Sequence, residues 1–281
     1  MSFKLIHPSI KFIILFTLLI ISPFLIFMFT WKAQIPVAIV YAHEEEFFAV
    51  FSWNTIIQFL VSAILLPVVF YLYMRKALLP IQRQAQINPI LLRKTLLIET
   101  LTLVFSLFLA VGEFAHKWND PLNFIDKTSG VGTGSYNGAD TTQGYVMIYF
   151  GDEWVGHWFI MVSYFGMILL AIWVELILNI KKEKYSIIEL ISIAVGGVGL
   201  GILNGMAAIL SETGIILCVL QLGFLVFFLG IKRSKSIKIR DHPLLMCMLV
   251  ATPIVVISNI AFILLHGWSP LFPYYSANLL H

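Results

Sequence analysis

Apolar residues dominate seven stretches of the chain, at about 11–31, 53–74, 95–116, 153–180, 186–210, 213–231 and 243–266, and polar residues gather between them. Each stretch is close to the roughly 20 residues a helix needs to cross a bilayer core with some tilt. The runs are continuous and lack the alternating ten-residue segments of a membrane barrel, so helices satisfy their backbone groups. The pattern predicts an all-α fold: a polytopic membrane helix bundle of seven transmembrane helices, forming one domain over residues 1–281. Of the connections, 32–52 contains an apolar run, Ile35 to Ala42, that is too short to span and is expected in the interface. The longest, 117–152, is rich in Gly, Asn, Asp and Thr from Thr128 to Gly144 and reads as an external loop.

Composition removes the soluble alternative. A chain of 281 residues that is 59% hydrophobic and only 12% charged has too little polar surface to face water. Its two cysteines, Cys218 and Cys247, lie inside apolar runs at no disulfide or metal spacing, and read as core thiols.

Charge orients the bundle. Lys4 and Lys11 precede the first span; Arg75, Lys76, Arg83, Arg93 and Lys94 flank the connection after the second. Lys181, Lys182 and Lys184 follow the fourth, and Lys232, Arg233, Lys235, Lys238 and Arg240 follow the sixth. These are 15 of the 18 cations; only Lys32, Lys117 and Lys127 fall on the other side. Cytoplasmic loops carry the Lys/Arg excess, so the amino terminus is expected in the cytoplasm and the carboxyl terminus outside. The cations are topology signals and potential contacts for anionic lipid, which leaves no nucleic-acid role. The first span reads as a retained helix, because its apolar run is long for a signal peptide and the small-residue site Val40-Tyr41-Ala42 lies too far along.

Inside the bundle, Gly197, Gly201 and Gly205 recur every four residues and form a smooth strip for close helix approach, widened by Gly196 and Gly199. The sixth span, tied to the fifth by Ser211-Glu212-Thr213-Gly214, is the expected partner. Glu99, Glu175 and Glu189 sit near cytoplasmic helix ends with lysines close in sequence; snorkelling ion pairs account for them, and an ion gate is the alternative. Asn54, Gln58, Asn204, Gln221 and Asn259 are scattered and outline no relay.

Candidate chemistry lies on the outer side, where five of the seven histidines and ten of the fifteen acids fall. Glu113 and His116 are three apart at the outer end of the third span, and Glu153 and His157 are four apart at the start of the fourth, so each pair shares a helix face. Helix bundles build carboxylate-bridged metal sites from such pairs. The expected metal ligands are therefore Glu113, His116, Glu153 and His157, with Asp152 or Glu212 as general base. Nitrogen and oxygen ligands without thiolate suit a divalent zinc, iron, manganese or copper ion. Wetted interfacial side chains are the plain alternative, and axial haem ligation by His116 and His157 is another.

Trp118, Trp154, Trp158 and Trp268, with Tyr145, Tyr149, Tyr274 and Tyr275, read as an interfacial aromatic belt. The Gly-rich run Ser129 to Gly138 lacks the features of a nucleotide loop. Three functions remain open: a metal-dependent enzyme acting on a lipid or other apolar substrate from the bilayer, a cation or small-solute transporter gated by Glu99, Glu175 and Glu189, and a non-catalytic subunit or assembly factor docking through 117–152.

Overall fold

The computed structural model describes residues 7–30, 36–43, 46–85, 89–128, 151, 155–177, 184–210, 214–235 and 237–266. Apolar runs become helices throughout: α1 (Pro8–Thr30), α2 (Trp53–Phe59), α3 (Leu66–Ala85), α4 (Pro89–Thr128), α5 (His157–Ile177), α6 (Ile187–Leu210), α7 (Gly214–Lys235) and α8 (Pro243–His266). A π-helical turn, Leu60–Leu65, joins α2 directly to α3. α1, α4 and α8 open on proline, which suits a first helical position because its missing N–H has no intrahelical partner there anyway. α6 opens with a capping box. The Ser186 hydroxyl accepts from the Glu189 N–H at 3.3 Å, and Glu189 Oε2 accepts from the Ser186 N–H at 3.0 Å.

Among the described residues, five stretches are long and apolar enough to cross a membrane: Thr55–Leu79, Pro89–Lys117, His157–Ile177, Ile187–Gly205 and Pro243–Leu264. α1 and α7 add shorter apolar runs among the described residues, Pro8–Ser22 and Leu217–Phe228.

Two connections differ from expectation. The segment after α1 is an antiparallel hairpin, β1 (Pro36–His43) with β2 (Glu46–Ser52), in which Ile39 faces Ala49 and Val40 faces Phe48. Pairing satisfies the backbone of an apolar segment too short to span. α4 also runs on past Lys117, so the expected loop 117–152 begins as helix through Thr128. Forty residues at 1.5 Å each give about 60 Å, twice the hydrocarbon thickness, so α4 outruns the membrane.

α5 is the central helix. Thirteen of its residues, from Ile160 to Glu175, are buried, as expected for a helix that is apolar all round. α4 packs antiparallel along it, with Gly112 close against Gly156: a methyl group on Gly112 would lie 2.8 Å from the Gly156 carbonyl oxygen. Gly166 similarly leaves room for the Phe105 ring.

The glycine strip of α6 has a different partner from the one expected. Gly197, Gly201 and Gly205 face Cys247 and Val250, then Ala251 and Ile254, then Val255 and Ser258, all on α8. The numbers rise together, so α6 and α8 run parallel. Gly196 and Gly199 instead seat Ile13, Thr17 and Ile21 of α1. α7, joined to α6 by a short link, packs only sparsely on α6 and α8, and Gly223 and Gly230 meet nothing within 4 Å.

Candidate functional site

Where the end of α4 that carries His116 meets the start of α5, helix spacing and the Gly112–Gly156 contact act together. With both backbones in van der Waals contact, His116, one turn beyond Gly112, reaches His157 across the interface; their ring centroids are 4.4 Å apart and tilted by 46°. Both imidazoles are partly exposed. Glu113 is buried, and its Oε1 accepts a hydrogen bond from the Tyr164 hydroxyl at 3.3 Å. Tyr164 lies seven residues after His157, two turns deeper on the same face of α5.

The structure thus brings together Glu113, His116 and His157 from the expected set and adds Tyr164, which spacing arguments passed over. Glu153, Asp152 and Glu212 lie outside the described residues, as do Trp154 and Trp268. Among the described residues no group of three or more His, Cys, Asp or Glu side chains is arranged to hold a metal ion. The two rings are also too close for haem. Iron–nitrogen bonds of about 2 Å on opposite faces would hold the centroids about 6 Å apart.

Chemically, this end of the bundle offers two imidazoles that accept or donate protons at a partly open surface. One turn below is a carboxylate whose own donor is fixed in the core. Polarity is graded from wet to dry over about two helical turns of α5, roughly 10 Å.

A second polar cluster lies at the opposite, basic end, where Glu175 departs from the snorkelling expectation. It is fully buried, and its Oε2 accepts from the backbone N–H of Leu244 at the start of α8, at 3.1 Å. Its Oε1 is buried without a hydrogen-bond partner among the described residues. The Ser9 hydroxyl, 3.3 Å from that of Tyr73, lies beside the same carboxylate. Glu189 is buried, bonded within the capping box, and also accepts from the His7 N–H at 3.5 Å. Tyr185, just before α6, has its hydroxyl pKa pushed above the ordinary phenol range, first by burial and then by the negative charges of Glu175, Asp241 and Glu189. Glu99, by contrast, is exposed on α4. The three carboxylates considered for a gate therefore form no common group: one faces outward and two hold helix starts.

No protein family, no characterised protein and no solved structure matches this chain.

Proposed function

We propose that the chain is a multi-pass membrane enzyme acting on a lipid or other apolar substrate, with its chemistry at the outer ends of α4 and α5. It would cross the membrane seven times, with the amino terminus in the cytoplasm and the carboxyl terminus outside. The charge distribution supports that orientation: Lys184, Lys238 and Arg240 stand just before α6 and α8, the helix starts bonded by Glu189 and Glu175, and Arg75, Lys76, Arg93 and Lys94 lie toward the connected ends of α3 and α4.

One observation carries the functional reading, the contact of His116 with His157 one turn from the Tyr164-bonded Glu113. Two helices contribute one imidazole each to a single point at an apolar–aqueous boundary. There, an apolar substrate can lie along the bundle while its polar group meets general acid–base side chains. The imidazoles are the proton-transfer groups, and Glu113 with Tyr164 sets the polar floor beneath them. A divalent zinc, iron or copper ion would require Glu153 as a further ligand beside the two histidines.

The test uses purified full-length protein in lipid nanodiscs made from a bacterial total lipid extract, with mass spectrometry of the lipids before and after incubation. The wild type is expected to convert at least one lipid species, and the His116→Ala/His157→Ala double variant to convert none. An unchanged lipid profile with the wild type overturns the enzyme reading. Metal analysis of the same samples adds the second answer: bound metal at one per chain that disappears in the double variant makes the chemistry metal-assisted, and no bound metal leaves it acid–base.

A further inference from the structure

Glu175 stands near the end of α5, and its carboxylate is only half accounted for. Its Oε2 accepts from the Leu244 N–H, and the amino terminus of α8 behind that amide supplies roughly half a positive charge. Nothing matches the remainder. Among the described residues Glu175 is in no ion pair, and its Oε1, fully buried, has no hydrogen-bond partner. A charge taken out of water in this way is strongly unfavourable until something compensates it. Beside the carboxylate lie two further oxygens, the hydroxyls of Ser9 on α1 and Tyr73 on α3, 0% and 8% exposed. They are 3.3 Å apart, longer than the roughly 2.5–3.0 Å of a well-formed O–H···O bond. Two hydroxyl hydrogens are therefore at hand, yet the hydroxyls bond each other poorly and Oε1 receives neither.

We propose that Glu175 Oε1, Ser9 Oγ and Tyr73 Oη are ligands of a sodium ion. Carboxylate and hydroxyl oxygens are the donors a hard cation takes. Two oxygens at right angles about a cation are farther from each other than from it by the square root of two. A 3.3 Å separation of the hydroxyl oxygens thus places each about 2.3 Å from the centre, within the range of roughly 2.3–2.6 Å for a Ca²⁺-sized ion. Mg²⁺ would draw them to about 3 Å of each other. Sodium has nearly the radius of Ca²⁺ with a single charge, which suits one carboxylate already half offset by α8. The ion ties α1, α3 and α5 together at the start of α8.

Binding of radioactive sodium to the purified full chain in detergent tests the proposal. The wild type is expected to bind one ion per chain saturably, with unlabelled sodium displacing it at least about tenfold better than potassium, whose larger radius needs oxygens set farther apart. Glu175→Gln, which keeps an oxygen for the Leu244 N–H, should bind none. Ser9→Ala and Tyr73→Phe each remove one ligand and should weaken binding by about tenfold; these two decide the matter if the Gln variant does not fold. The wild-type melting midpoint should also rise in sodium chloride over choline chloride at equal ionic strength, and that of the Gln variant should not. The proposal is overturned if the wild type binds no sodium, or if any of the three variants binds it as the wild type does. A melting midpoint that follows pH and ignores sodium would overturn it too, making the occupant a proton. None of these outcomes depends on the enzyme reading.

Discussion

Glu113 and Glu175 are both acids inside a bundle, and each is stabilised by a different kind of donor. Glu113 has the hydroxyl of Tyr164, and Glu175 has a backbone amide at the start of α8. A buried acceptor stripped of its donor costs about 1–3 kcal/mol. Tyr164→Phe should therefore lower stability by about 1–2 kcal/mol, read as a lower melting midpoint in detergent. Adding Glu113→Gln to it should cost less than the sum of the two single changes, since both remove one interaction; strict additivity would mean that the two groups do not interact. For Glu175→Ala, the amide of Leu244 should exchange with deuterium faster than in wild type, while those in the middle of α8 stay protected. Of the site residues, Glu113, His116 and His157 were legible in the sequence because i, i+3 and i, i+4 spacings are local rules. Tyr164 carried a weaker signal, its two-turn distance from His157. The Glu175 contact carried none, because its partner is a peptide group 69 residues away that no side-chain pattern marks.

Among the elements, the apolar run of α8 was readable to the residue, expected at 243–266 and found at Pro243–His266, whereas the run expected at 95–116 lies within the longer Pro89–Thr128. What length does not encode is adjacency. The strip of Gly197, Gly201 and Gly205 announced a close neighbour, but a short loop suggested α7 where packing selects α8. In a membrane, where lipid is as apolar as a side chain, small-residue fit decides partners more than chain proximity. Gly201→Val tests this directly. Its branched side chain would press on the Ala251 carbonyl oxygen, 2.9 Å from a first methyl position, and backbone cannot yield cheaply. The expected loss is about 1–3 kcal/mol in a denaturation assay, whereas Gly223→Val on the open face of α7 should change stability by less than about 0.5 kcal/mol. Two elements escaped the hydrophobic pattern for another reason. The hairpin after α1 and the continuation of α4 to Thr128 are stabilised by backbone pairing, which a scan for apolar runs does not register. The β-branched and aromatic content of Pro36–His43 and Glu46–Ser52, either side of Glu44 and Glu45, was the available clue to the first.

For the whole molecule, the strongest inference from sequence was the separation of cations from histidines and acids, and it organises the described helices into two chemically distinct ends. The orientation proposed for those ends has a direct measurement. In a Cys218→Ser/Cys247→Ser background, single cysteines replacing Lys94 or Lys238 should resist a membrane-impermeant maleimide applied to intact cells and react after lysis. One replacing Lys117 should react in intact cells. The reverse pattern would invert the topology and place the histidine pair in the cytoplasm.

The parallel run of α6 and α8 also has an electrostatic consequence. Aligned peptide dipoles leave roughly half a positive charge at each helix amino terminus. Because the glycine strip holds these two helices side by side in the same direction, two such partial charges stand next to each other at an end already crowded with lysine and arginine. Each has its own carboxylate: Glu189 lies in the first turn of α6, and Glu175 reaches across from α5 to the first turn of α8. Both acids are thereby engaged at helix starts, Glu189 in the capping box of α6 and Glu175, through Oε2, on the Leu244 N–H of α8.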